Sequence, residues 1–172
     1  GPPSDPAGIK GMNTAIDAMK KLAAKAPFYS RGDNSGTDQL EKSLWKTAGI
    51  TAKGQSWYFE ANLGMGDLLR VASEKAAYTI TDRATYLANL KTLTLDVMVQ
   101  GDPPLLNIYH VIQVNPEKFP NIKINAEGAK AFVDFMVSPA TQEVIAGFGV
   151  EKYGRPLFFP DAGKKESDLG SQ

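Results

Sequence analysis

The residues best suited to chemistry lie together in Ser30-Arg31-Gly32-Asp33-Asn34-Ser35-Gly36-Thr37. Phe28 and Tyr29 read as a short strand, and the polar loop behind them runs into a helix. Ser35 and Asp38 form the S-x-x-D signal of a helix start. A helix start presents free backbone N–H groups and the positive end of its dipole, so it favours an anion. Gly36 lacks a Cβ and lets the backbone come close to a ligand. Ser35 and Thr37 add hydroxyl donors, and Arg31 adds a planar fork that spans two oxygens and keeps its charge. Such a set of donors suits a tetrahedral oxyanion. The same pattern also serves simply to cap a helix, and the spacing alone leaves both readings open.

Neighbouring groups carry their own alternatives. Asp33 either repels an anion or holds Arg31 by a hydrogen bond. Glu41, one turn behind Thr37, reads as an exposed helix charge in preference to a second brace. Thr81-Asp82-Arg83 sits at the end of an apolar strand, where ligands collect in α/β sheets. Arg83 there either completes an anion cage or pairs structurally with Asp82 or another acid, and the structural pair is preferred. Gly64-Met65-Gly66 lacks the third Gly and the Lys-Ser/Thr of a phosphate loop, so Met65 is expected to pack. His110 reads as a structural histidine. Arg31-Gly32-Asp33 spells an adhesion tripeptide, but three residues are too few to argue from.

These side chains need elements to hold them. A helix capped by Asn13 is expected to run to about Lys25, with Met12, Ile16, Met19 and Leu22 on one face. The helix behind Thr37 carries Leu40, Leu44, Trp45 and Ala48 and stops at Gly49. Trp57-Tyr58-Phe59 reads as a short strand or a packed loop, and Tyr78 to Thr81, Leu93 to Val99 and Ile108 to Val114 read as strands. Helices follow Gly64 and Arg83, then a helix capped by Asn125 with Ala129, Phe132, Val133 and Met136 inward, then one from Ser138-Pro139. Alternating strands and helices give an α/β fold.

Composition narrows the function. The chain has 172 residues, 19 Lys+Arg against 19 Asp+Glu, one His and no Cys. A nucleic-acid binder needs a basic excess, and none is present overall. A thiolate metal site, a Cys nucleophile and a disulfide framework are excluded. A single His makes a His-rich zinc site and a Ser-His-Asp triad poor candidates. No catalytic residue, metal site or cofactor is expected. No stretch approaches a membrane span, and no signal peptide is visible at the start.

Taken in order and spacing, several segments resemble one family. They are Gly1-Pro2 with Asp5-Pro6-Ala7-Gly8-Ile9, the segment Ser30 to Thr37 with Glu41 and Leu44-Trp45, Trp57-Tyr58, Gly64-Met65-Gly66, Tyr78 to Arg83, Leu106 to Tyr109, and Ala131-Phe132 with Ser138 to Gln142. The chain resembles the tungstate-binding proteins of ABC importers, extracytoplasmic solute-binding proteins of the type II periplasmic-binding-protein class. The resemblance covers nearly the whole chain to about Asp161.

The resemblance implies a hinged, two-lobed receptor that closes on an oxyanion and delivers it to an importer permease from a periplasmic or extracytoplasmic position. Arg31 would clamp the ion, with Ser35, Gly36 and Thr37 as helix-start donors. Asp33, Thr81, Asp82 and Arg83 are the subsidiary candidates. Residues 1–120 would form the second lobe, and 121–172 a helical segment returning to the first lobe, its tail after 161 disordered. The family's Thr/Ser-rich first-lobe loop has no counterpart here, so this chain is expected to bind tungstate weakly or not at all by itself. Molybdate, sulfate and phosphate are alternatives within the class. A phosphate-ester hydrolase and the effector-sensing domain of a regulator are alternatives outside it. An Asp33 carboxylate pointing into the cage would favour phosphate; one bracing Arg31 would favour tungstate or molybdate.

Overall fold

The computed structural model describes residues 1–165 and 168–169. They fall into two compact units, Gly1–Leu106 and Asn107–Leu169. The expectation for the tail after 161 lies partly outside the described residues.

The first unit is built around a short parallel pair, β1 (Phe28–Ser30) and β2 (Tyr58–Glu60), in the register Phe28↔Tyr58, Tyr29↔Phe59 and Ser30↔Glu60. On its other side β1 makes a single parallel bridge, Phe28↔Tyr78. The strand expected over Tyr78 to Thr81 stops there for a visible reason. In a continued ladder the Ile80 N–H would reach the Tyr29 carbonyl. The Thr79 hydroxyl donates to that carbonyl instead, at 2.8 Å. β1 is therefore central, and all three runs point their carboxyl ends the same way.

Side chains alternate across β1 and divide the core. Phe28, 1% exposed, faces α1 (Ala15–Leu22) and α2 (Gly36–Thr47) with Leu22, Leu44, Trp45, Tyr58 and Met98. Tyr29 faces the other way, onto Leu69 and Ala72 of α3 (Met65–Glu74) with Ala77 and Leu95. Ser30 shares the Phe28 face and so points toward α2. Phe28 stacks on Tyr58 and meets Trp45 edge-on, with ring centroids 6.0 and 5.2 Å apart.

Helix starts account for the remaining elements. α1 begins at Ala15, not behind Asn13, with Thr14 at the cap position. The first helical N–H, that of Ala15, donates to Asp102 Oδ2 at 2.7 Å, so a distant carboxylate does the capping. α4 (Arg83–Asn89) starts from Asp82, whose carboxylate accepts from Thr85 N–H. No ladder forms over Leu93 to Val99. Its backbone groups are taken singly: Thr94 N–H by Ser73 Oγ, Leu95 O by Tyr86 and Met98 O by Gly11 N–H. Val97 is accordingly exposed while Leu95 and Met98 are buried.

Glu41 corrects the sequence expectation. It is 2% exposed, not a surface charge. Glu41 Oε1 accepts from Trp45 Nε1 at 2.9 Å and from the Tyr58 hydroxyl at 2.8 Å. Burial raises its pKa, and hydrogen bonds from Ser30, Tyr58 and Trp45 oppose that rise without cancelling it.

The second unit has helices α5 (Ala126–Val137), α6 (Pro139–Gly147) and α7 (Val150–Tyr153). Asn125 Oδ1 caps α5 through Gly128 N–H, and Ser138 Oγ caps α6 through Thr141 N–H. Ile108 to Val114 forms no strand among the described residues, and His110 there is exposed. The inward face expected for α5 is not realised: Ala129, Val133 and Met136 are half-buried and Phe132 is 58% exposed. No residue of these three helices is fully buried.

Two outcomes follow. Phe28→Ala opens a cavity where three elements meet and is expected to cost about 3–5 kcal/mol, read as a lower urea midpoint at unchanged slope. Glu41 in the fold holds its proton to higher pH than in the unfolded chain. Its contribution is therefore full below its ordinary value of 4.5 and lost as pH rises through the raised value. Urea unfolding of Glu41→Gln and the parent between about pH 4 and pH 7 should show the parent losing stability relative to the variant as pH rises. A difference that does not change with pH would contradict this.

Candidate functional site

The loop between β1 and α2 is wrapped around a carboxylate of its own chain. Asp38, in the first turn of α2, has a side chain with 0% exposure. Its Oδ1 accepts from Ser30 Oγ at 3.1 Å and Gly32 N–H at 3.0 Å. Its Oδ2 accepts from Asn34 N–H at 3.0 Å and Lys42 Nζ at 2.6 Å. Burial would push this carboxyl up, but the Lys42, Gly32 and Ser30 hydrogen bonds together hold it below its ordinary value.

Local sequence makes the wrap possible. Turning the N–H groups of Gly32 and Asn34 toward one point takes left-handed backbone at both, and their φ values are +67° and +60°. Glycine and asparagine are the residues that tolerate this conformation best. Gly32 is also hemmed in: a Cβ there would lie 2.9 Å from Glu60 Cβ.

Arg31 and Asp33 form the outer layer. Arg31 NH2 donates to Asp33 Oδ2 at 2.5 Å, and Ser35 N–H donates to Asp33 Oδ1 at 3.1 Å. Hydrogen bonds from the Ser35 side chain and backbone, then from Arg31, hold the Asp33 carboxyl below its ordinary value against its desolvation. Both carboxylate oxygens are thus committed within the loop, and Asp33 ties the guanidinium to the residue before the helix. Arg31 Nε is buried and has no hydrogen-bond partner among the described residues.

The helix start then divides its donors. Asp38 N–H goes to Ser35 Oγ at 3.4 Å, which is the capping contact of the S-x-x-D signal. Gly36 N–H and Thr37 N–H meet no acceptor among the described residues. A Cβ on Gly36 would meet nothing within 4 Å, so the space beside its Cα is open. Donors without an acceptor among the described residues include the two helix-start N–H groups and the Arg31 Nε–H.

Thr81, Asp82 and Arg83 follow the run that bridges to β1, on the same carboxyl-end edge. Asp82 is engaged in capping α4, accepting from Thr85 N–H at 2.7 Å and Thr85 Oγ1 at 2.8 Å. Thr81 Oγ1 donates to the Asp82 carbonyl at 3.1 Å, and Arg83 is the exposed first residue of α4. Sequence reasoning missed what Asp38 and Glu41 do. Asp38 was legible only as a capping partner; its role as acceptor for the loop depends on the left-handed turns at Gly32 and Asn34.

Among the described residues, no group of three or more His, Cys, Asp or Glu side chains is arranged to hold a metal ion. No helix is long and apolar enough to cross a membrane.

Comparison with known proteins extends the geometry. A family model described as a PBP superfamily domain matches residues 1–140. The tungstate-binding protein TupA of Peptoclostridium acidaminophilum is 48% identical over 167 residues, 95% of this chain and 57% of that protein. The tungstate-binding protein TupA of Campylobacter jejuni is 38% identical over 89% of this chain and 56% of that protein. Among solved structures, the tungstate-binding protein TupA from Desulfovibrio alaskensis G20 superposes with a TM-score of 0.75 at 43% identity, over 94% of this chain and 65% of that one. The chain spans just over half the length of these two curated relatives. The family model covers most of the sequence and the α/β core carries the same arrangement as the solved relative, so the chain belongs to the periplasmic-binding-protein (PBP) superfamily.

Proposed function

We propose that this chain is the oxyanion-binding part of an extracytoplasmic solute-binding protein that hands tungstate to an ABC importer. One observation carries the reading: a buried Arg31 Nε–H without a partner, in the loop that leads to two unclaimed N–H groups at the start of α2. A buried donor left unpaired costs about 1–3 kcal/mol, and an anion at the helix start would remove that cost. The similarity to tungstate-binding proteins at 48% and 38% identity supports the choice of ion.

The chemistry is capture without bond making. Tungstate at neutral pH is a dianion with no proton to donate, so a cage of donors suits it. Phosphate keeps a proton near neutrality and gains from an acceptor carboxylate. Two acids flank the helix-start donors in sequence: the oxygens of Asp33 are engaged by Arg31 and Ser35, and those of Asp38 by Ser30, Gly32, Asn34 and Lys42. That arrangement favours tungstate or molybdate over phosphate.

The division into lobes belongs to the same reading. Residues to about 120 form the lobe that carries the oxyanion loop, and 121–172 return to the other lobe. Phe132, Phe135 and Val144 are 58%, 60% and 68% exposed, an apolar surface of the kind that marks an interaction face. The other lobe would supply its cover and the opposing half of the cage. Hinge closure would dehydrate the ion and present a closed form to the permease.

Calorimetric titration with sodium tungstate tests the site. Arg31→Ala should weaken binding about 10- to 100-fold, the range for losing a charged hydrogen bond. Arg31→Lys should not recover it, because a point charge lacks the fork. Phosphate should compete more weakly than molybdate. An Arg31→Ala variant that binds tungstate as tightly as the parent would sink the proposal.

A further inference from the structure

We infer that Asp38, secured by Lys42, is the positioning residue of the oxyanion loop: it binds the loop's inward amides so that the donors left over face the ligand. The inference rests on the oxyanion reading above and adds to it a residue that never touches the ion.

The geometry separates two layers of one loop. Inward, Ser30 Oγ, Gly32 N–H and Asn34 N–H converge on the Asp38 carboxylate. Outward, Arg31, Asp33 and Ser35 are joined by hydrogen bonds of their own. Alternate residues thus serve alternate layers, and fixing Gly32 and Asn34 fixes the residues between and beside them. Arg31 is bracketed by two residues that bond Asp38, Ser30 and Gly32. Asp33 is bracketed by Gly32 and Asn34. Without an internal acceptor, the Gly32 and Asn34 amides would be free to turn toward the ion, and the guanidinium would lose its frame.

Lys42 keeps Asp38 in place from the far side. It lies one turn along α2, contacting Asp38 Oδ2 at 2.6 Å and Glu60 Oε1 at 3.8 Å. Glu60 also pairs with Lys53 at 3.0 Å. Glu60 ends β2 and stands against Gly32, so the chain of charges Lys53–Glu60–Lys42–Asp38 ties the second strand to the back of the loop. Lys42 also balances the buried negative charge, which would otherwise oppose an incoming anion.

The test uses amide hydrogen exchange by NMR together with calorimetry, in Asp38→Asn, Lys42→Met and Lys42→Arg. Asp38→Asn places an NH2 group among donors, so exchange at Gly32 and Asn34 should quicken at least about tenfold. Amides of α3 should keep their protection. Tungstate affinity should fall in parallel. Lys42→Met should shift both readouts in the same direction by less, and Lys42→Arg should restore them. Unchanged exchange at Gly32 and Asn34 in Asp38→Asn overturns the inference, as does an affinity lost in Lys42→Met and not regained in Lys42→Arg. If Asp38→Asn does not fold, the two Lys42 variants still decide. If the parent binds tungstate too weakly to titrate, as expected without the first-lobe loop, the exchange data alone decide the positioning role.

Discussion

A carboxylate buried to the last atom imposes conditions on everything around it. Ionised, Asp38 carries a desolvation penalty of several kcal/mol unless donors replace its water. The donors that do so come from one strand residue, two loop amides and one lysine. Each sets a demand elsewhere. Ser30 must point to α2, which the pleat of β1 arranges by placing it on the Phe28 face. Gly32 and Asn34 must both be left-handed. Lys42 must follow Asp38 by one helical turn. The aromatic cluster of Phe28, Trp45 and Tyr58 beneath holds the helix and the strand at the separation these contacts need.

A second acid in the same layer behaves differently. Glu41 has fewer polar partners and sits between aromatic rings, so burial dominates and its pKa rises. Asp38 is offered amides and a lysine, so donors dominate and its pKa falls. The two carboxylates lie within one turn of the same helix, and Asp38's charge itself adds to the rise at Glu41. The opposite directions make the Glu41 proton the harder of the two to remove, as expected where two carboxylates share one region.

Much of this was legible in the chain. The order of strand, polar loop and helix at residues 28–47 follows from Phe28-Tyr29, the Gly-containing run and the S-x-x-D start, and the structure has it. Glu41 was misread although a signal existed: positions 41, 44, 45 and 48 share one helical face, so an acid there falls among apolar neighbours. Three expected strands did not form, and for two of them the reason is visible. Alternation at Tyr78 to Thr81, Leu93 to Val99 and Ile108 to Val114 reports which side chains seek burial, but a ladder also needs a partner's free carbonyls. Thr79 intercepts one of these with its hydroxyl, the Thr94 N–H donates to the Ser73 hydroxyl, and the Met98 carbonyl accepts from Gly11 N–H. Hydrophobic pattern cannot register such side-chain competition.

The zero net charge acquires a local meaning at the loop. Arg31 faces Asp33, and Lys42 faces Asp38, so each cation is answered by an acid of the same segment. Two unit charges 4 Å apart interact by about 4 kcal/mol at an effective dielectric near 20, so an unanswered arginine would attract any anion within reach. Answered, it contributes direction more than charge: its guanidinium is held by Asp33, in the loop that leads to the helix start. Selectivity in such a site comes from where the donors stand and not from how much charge is present. At the proposed site a polyanion, which rewards total charge, would gain little, while a small oxyanion that fits the fixed donors would gain from each one. On the proposed reading, rigidity of the loop is the property that matters most, and it traces back to the buried carboxylate of Asp38.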